Sequence, residues 1–140
     1  MINEIGEKES YELLRKQSIG RLGCCEDKEP YVVPVNYWFD GESVYIHSLP
    51  GHKIEVMRAN PRICLQADEI KDAYNWRSVI AFGWFEEIND SAQHDHILND
   101  MFKRLPHLTP VESKAKEIMA QTIVFRIRID RITGIAERWL

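Results

Sequence analysis

Tyr31-Val32-Val33-Pro34-Val35-Asn36-Tyr37-Trp38-Phe39, then Asp40-Gly41, then Ser43-Val44-Tyr45-Ile46-His47-Ser48, is the stretch on which the reading of the fold rests. Side chains of an extended chain point alternately to opposite faces. Tyr31, Val33, Val35, Tyr37 and Phe39 therefore share one face, and Val32, Pro34, Asn36 and Trp38 the other. Asp-Gly is a favoured pair for a tight hairpin, because Gly accepts a positive φ at low cost. Val44 and Ile46 then alternate against Tyr45 and His47 on the returning strand. A lone hairpin is marginal in water, so these strands need further partners.

Working outward, Ile19 to Glu26 reads as a strand loosened by Gly20 and Gly23, and Lys8 to Gln17 as a short helix with Tyr11 and Leu14 on one face. After the hairpin, Leu49-Pro50-Gly51 breaks the strand and His52 to Asn60 reads as a helix. Asn60-Pro61 stops it, since a residue before Pro avoids the helical region. Arg62 to Asp68 is a strand, Glu69 to Asn75 a polar loop, and Trp76 to Ile88 a long strand with a bulge or bend at Gly83. Asp90 caps a helix carrying Ile97, Leu98, Met101, Phe102 and Leu105. Thr109, Pro110 and Glu112 mark the start of another that runs to about Ala120. Thr122 to Ile129 and Ile132 to Glu137 are the closing strands. About seven strands and three or four short helices result. Antiparallel strands joined this way lose their exposed edges by forming a sandwich or closing into a barrel. A mainly β fold, a β-barrel with flanking α-helices in which residues 90–120 cover one opening or flank, is the expected architecture, with residues 1–140 as a single domain.

The chain has 140 residues, 44% hydrophobic and 29% charged, which is ordinary for a globular protein and excludes wholesale disorder. A net charge of −4 argues against nucleic acid or an anionic membrane as partner, since both need clustered Lys and Arg. No stretch reaches the apolar length of a membrane span, and the polar start from Met1 to Ser10 is unlike a signal peptide. A cytoplasmic protein is expected. Cys24, Cys25 and Cys64 form neither a disulfide framework nor a zinc pattern, and read as small half-buried hydrophobes.

The segment from Val44 to Glu55 offers the most chemistry. A strand ends in the Ser48 hydroxyl, a Gly-containing loop follows, and a helix opens with Lys53 in its first turn. A hydroxyl, helix-start N–H groups and an ammonium together suit an anion such as phosphate. The P-loop spacing is absent, and an ordinary helix start with a solvated Lys satisfies the same residues.

Ser18-Ile19-Gly20-Arg21-Leu22-Gly23, Pro30 to Tyr37, Val44 to Ser48, Gly51-His52-Lys53, Arg58-Ala59-Asn60-Pro61-Arg62, Trp76-Arg77-Ser78-Val79 and Gly83 occur in that order. In this order and spacing the chain resembles the FMN-binding split-barrel proteins related to pyridoxamine 5′-phosphate oxidase, within them the group containing nitroimidazole-resistance proteins. The likeness is good over residues 10–90 and looser beyond. It implies a homodimer with FMN in a groove at the subunit interface. By position, Lys53 would bind the FMN phosphate with Ser48, His47 and, more weakly, His52. The backbone of Val33, Pro34, Val35 and Asn36 would lie against the isoalloxazine ring, and Trp76, Ser78 and Val79 would approach from the partner chain. The oxidase's basic R-x-x-L-L-K strand has no counterpart in Val32 to Tyr37, which argues against pyridoxamine phosphate as substrate. The resemblance thus implies an FMN-dependent oxidoreductase acting on a small electrophile, nitro-aromatic or quinone-like. A non-catalytic flavin carrier or sensor, or a haem-binding split barrel with an axial His, uses the same scaffold.

Other candidates read as structural. His94 and His96, two apart on a helix, do not face each other and make no metal site; His107 lies in an exposed loop. Trp38 is assigned to the face opposite the core, at a dimer interface, with flavin stacking as the other reading. Arg126 and Arg128 share a strand face, as a basic wall near an anion or as edge-strand charges. No Ser-His-Asp or Cys-His signature points to hydrolysis.

Overall fold

The computed structural model describes residues 1–104 and 121–138. Along the chain run β1 (Ile2–Glu4), α1 (Glu7–Lys16), β2 (Ile19–Glu26), β3 (Glu29–Asn36), β4 (Trp38–Phe39) and β5 (Ser43–Ser48). They are followed by α2 (His52–Ala59), β6 (Arg62–Asp72), β7 (Asn75–Glu87), α3 (Ser91–Arg104) and β8 (Ile123–Glu137). The helix expected from Thr109 to about Ala120, Leu105, and His107 lie outside the described residues.

All ladders are antiparallel, in the order β3-β2-β6-β7-β8-β5-β4, with β1 added to β8. β3 and β4 stand at opposite ends of that order, yet Tyr37 alone separates them in sequence. A sheet with that property has to curl until its two margins meet. Among the described residues no ladder joins β3 to β4 or β5, so the barrel closes along an unpaired seam and is split.

Tyr37 also corrects the expectation of one strand from Tyr31 to Phe39. Its N–H donates to Ser18 O at 2.9 Å, and its hydroxyl donates to Leu14 O at 2.7 Å in the last turn of α1. Held at both ends, the chain turns there from one margin of the sheet to the other. The alternation of faces survives the turn: Val35, Tyr37 and Phe39 are buried, while Val32 and Pro34 are exposed.

The Asp40-Gly41 hairpin forms as read. Asp40 N donates to Ser43 O at 3.2 Å, its carboxylate accepts from Glu42 N and Ser43 N at 2.8 Å each, and Gly41 sits at φ 107°. The polar loop expected at Glu69 to Asn75 is instead mostly strand, with only residues 73–74 between β6 and β7. Charged residues hold strand geometry there because they pair: Glu69 binds Arg77 at 3.2 Å and also Lys16, and Asp72 accepts from Tyr74 N at 2.8 Å to close the turn.

The two closing strands are one, β8. The register passes from Gly83↔Ile129 to Phe82↔Arg131, leaving Asp130 as the extra residue of a bulge opposite Gly83. That residue resets the alternation, which is why the sequence reads as two strands. A Cβ at Gly83 would lie 2.2 Å from Arg128 O, so the backbone approach needs Gly. Asp130 is held by Arg62 at 2.6 Å and by Trp84 Nε1 at 3.0 Å. Three-residue β1 was not foreseen; all of it is exposed and shows no apolar alternation.

Inside the barrel, Leu13 and Leu14 of α1 and Ile54 and Met57 of α2 pack with Leu22, Val44, Ile46, Leu65, Phe125 and Ile127. A second cluster lies outside, where Ile97, Leu98 and Met101 of α3 cover Tyr45 and Val124. The helix after Asp90 thus flanks the barrel as expected, with Asp90 Oδ2 accepting from Gln93 N at 2.9 Å as its cap.

Tyr37→Phe leaves the Leu14 carbonyl buried without its donor, so it should destabilise the fold by about 1–2 kcal/mol. The urea unfolding midpoint measures this, and an unchanged midpoint would remove Tyr37 from its place as the pin of the seam.

Candidate functional site

β5 ends at Ser48, residues 49–51 make the link, and α2 opens at His52. Ser48 Oγ donates to Leu49 O at 2.8 Å. His52 Nε2 lies 3.3 Å from Glu26 Oε2, and its ring meets Tyr31 edge-on at 5.7 Å. Lys53, in the first turn, is half-buried. No carboxylate among the described residues reaches its ammonium; burial pushes its pKa down, and the Cys24 thiol alone works the other way. An ammonium partly removed from water and given no anion is a costly arrangement. It fits an anionic ligand better than it fits an empty corner.

His47 adds to the same corner. Burial first, then the Lys53 charge, lowers its pKa. Its Nε2 is buried without a hydrogen-bond partner, and its ring packs edge-on against Phe102 of α3 at 5.6 Å. As placed, that nitrogen is out of reach of a phosphate or a metal centre at the surface. Cys24 is buried beside Lys53, its pKa raised by burial and by Cys25 and Cys64 and drawn down by the ammonium. All three cysteines are free. The part taken by Phe102 and Cys24 depends on tertiary contacts, so nothing in the local sequence marks it.

Val33, Pro34, Val35 and Asn36 lie on β3, which among the described residues pairs with β2 alone and leaves its other backbone edge free along the seam. Pro34 has no N–H and suits such an edge. Val33 and Val35 turn toward the core, with Val35 buried, so only their backbone lines the outside.

Trp76, Ser78 and Val79 stand elsewhere. Cys64, beside Gly23, is six residues along β6 from Ile70, the partner of Trp76. At a rise of about 3.3 Å per residue that is roughly 20 Å. Trp76 Nε1 donates to Glu137 at 3.2 Å, and Ser78 Oγ accepts from Gln66 at 2.9 Å. The Val79 side chain is fully buried in the barrel, so any contact it makes with a ligand is through its backbone. Ser78 and Val79 pair with Asp68 and Ala67, four and three residues from Cys64, so the separation is widest at Trp76.

The remaining candidates have local partners. Arg126 and Arg128 both bind Glu86, the latter at 3.2 Å, so they form no free basic wall. Trp38 stacks on Tyr45 at 5.4 Å, packs against the α3 cluster of its own chain and stays half-buried there. His96 approaches Asp100 at 3.5 Å. No group of three or more metal-ligating side chains occurs among the described residues, and none of their helices is long and apolar enough to cross a membrane.

Residues 6–136 match the model of the family described as pyridoxamine 5′-phosphate oxidase. The chain belongs to the pyridoxamine 5′-phosphate oxidase family. A Mesorhizobium loti member described as FAD-binding superimposes with a TM-score of 0.82 at 33% identity over 99% of each chain. An uncharacterized Rhizobium meliloti protein is 33% identical over 84% of this chain and 83% of its own length. A candidate 5-nitroimidazole antibiotic resistance protein of Bacteroides thetaiotaomicron shares the fold, with a TM-score of 0.77 at 22% identity over 97% of this chain and 87% of its own. The resemblance drawn from Ser18 to Gly83 holds, and the split barrel of this family is the fold of the chain.

In this family member, His94 latches α3 to β8. Its Nε2 lies 2.6 Å from Thr122 O and its Nδ1 2.9 Å from Asp95. Burial lowers its pKa, but the Thr122 carbonyl and the Asp95 carboxylate outweigh that and hold it above the ordinary His value. A raised folded pKa gives stability that is full below the unfolded value and lost as pH rises through the folded one. Wild type should therefore gain urea resistance over His94→Gln as pH falls from 8.5 to 6. A difference that does not vary with pH would contradict the latch.

Proposed function

We propose that the chain is an FMN-binding flavoprotein that works as a homodimer and passes electrons to a small electrophile such as a nitro-aromatic or quinone-like compound. The observation that carries this reading is the half-buried Lys53 ammonium, without a carboxylate partner among the described residues, at the start of α2. The terminal phosphate of FMN is a dianion, and an ammonium with the first N–H groups of a helix is a fitting receptor for it. FAD carries the same ring but an esterified diphosphate, so the FAD-binding relative leaves the choice between the two to a competition assay.

The free edge of β3 at Val33–Asn36 gives the flat ring a wall of backbone amides beside apolar side chains. Bound flavin would supply the redox chemistry, and the protein's part is to hold it, shield one face and admit the substrate. Two features support the dimer. Trp76 stands about 20 Å along the sheet from Cys64, toward the far end of β6 from the Lys53 corner, and a second copy can bring its own Trp76 there. The outer sheet face also leaves Val32 68%, Ile70 66%, Trp84 43% and Ile135 42% exposed, and holds an apolar trough of about 320 Å³ between Val32, Cys64 and Phe82. Three unpaired thiols support a reducing, cytoplasmic setting.

Lys53→Ala should weaken FMN binding by about 1.5–3 kcal/mol, or roughly ten- to a hundred-fold, in a fluorescence titration. Unchanged affinity would place the phosphate elsewhere. Turnover of a nitro-aromatic with a nicotinamide donor supports the enzyme, whereas tight FMN binding without turnover across a panel of acceptors would make the protein a flavin carrier or sensor.

A further inference from the structure

Away from Lys53, a cleft of about 540 Å³ opens between the C-terminal ends of α1 and α3 and the start of β4. Arg15, Ser18, Tyr37, Trp38, Phe39 and Arg104 line it, with Lys16, Gln17 and Asp40. The volume lies in the range of small-molecule sites.

Its charges are unevenly committed. Lys16 is taken by Glu69, and the Asp40 carboxylate accepts two backbone N–H groups of the hairpin turn. Arg15 and Arg104 make no ion pair among the described residues. Instead the Arg15 guanidinium lies 5.4 Å from the centre of the Phe39 ring, and that of Arg104 lies 4.6 Å from the Trp38 ring. A guanidinium held over an aromatic face keeps its N–H donors at its edge, where they can meet a planar carboxylate two at a time. Trp38 and Phe39 are neighbours on β4 with opposite faces, so the two cations reach the cleft from the two sides of that strand.

We propose that this cleft is a binding site for a small planar organic anion, a conjugated carboxylate, with Arg15 and Arg104 as its charge contacts. Tyr37 contributes no hydroxyl, since that group donates to Leu14 O. The C-terminal ends of α1 and α3 face the cleft and oppose any anion, a cost that the two guanidiniums must exceed, and none of the described helices presents its N-terminus there. The alternative is that both arginines only complement those helix ends and pack on the rings.

Calorimetric titration of the full chain with benzoate, and with neutral benzamide of the same shape, separates the two. The proposal expects benzoate to bind at least tenfold more tightly than benzamide, and Arg15→Gln and Arg104→Gln each to lose about tenfold for benzoate with little change for benzamide. Lys53→Ala should leave benzoate affinity unchanged. Equal affinity for the two compounds, no benzoate binding, or loss in Lys53→Ala with both arginine variants unaffected would overturn it. Should either arginine variant melt early by circular dichroism, the Lys variant at that position replaces it: retained charge without the planar fork should bind benzoate with intermediate affinity, and an affinity equal to wild type would overturn the bidentate contact.

Discussion

The two hydrogen bonds of Tyr37 hold the arrangement from which the rest follows. One residue lies between β3 and β4, and the sheet order puts those strands at opposite margins. The N–H bond to Ser18 fixes where the chain leaves β3, and the hydroxyl bond to Leu14 ties the same residue to α1. The tie also satisfies one of the carbonyls left without an intrahelical partner at the end of α1. With the seam in place, β3 keeps a free backbone edge, and β5 delivers its last residues to the start of α2 close to it. A fully laddered barrel would have neither a free edge nor a corner for a ligand.

The electrostatics of that corner are one-sided. Burial works against the charge on Lys53 and against protonation of His47, and no acid among the described residues balances the ammonium. Elsewhere the surface is closely paired. Lys16, Glu69, Arg77, Glu9 and Arg138 form a continuous chain of ion pairs, and Arg62 shares Asp130 with Trp84. A protein that pairs so many of its charges but leaves one half-buried cation alone is poised for an anion that arrives from outside. The separation of Trp76 from this corner makes the second subunit part of the same proposal.

Much of this was legible in the sequence, and what was not has a physical cause. The hairpin at Asp40-Gly41, strands β2 and β5, the stop at Asn60-Pro61 and the bend at Gly83 are local, so local residues announce them. The break at Tyr37 was hidden because the period-two pattern runs through it unchanged, and only the distant Leu14 and Ser18 carbonyls bend the chain. β8 read as two strands because the bulge at Asp130 shifts the alternation by one residue. The polar turns of β6 and β7 read as loop because cross-strand pairs such as Glu69 with Arg77 cannot be seen from composition. Lys53 was legible as a cation in the first turn of a helix through its place after Ser48 and Gly51, but its half-burial was not. The sealed Nε2 of His47 and the guanidiniums of Arg15 and Arg104 over Phe39 and Trp38 were not, since each depends on which helix packs on which strand.

The most direct measurement is the titration of the Lys53 side chain itself, followed by NMR with and without FMN. Burial holds its pKa below the ordinary lysine value in the free protein. If the phosphate docks against the ammonium, saturating FMN should raise that pKa while the exposed lysines stay where they are. A Lys53 titration that FMN leaves unmoved, with the flavin bound, would contradict the account.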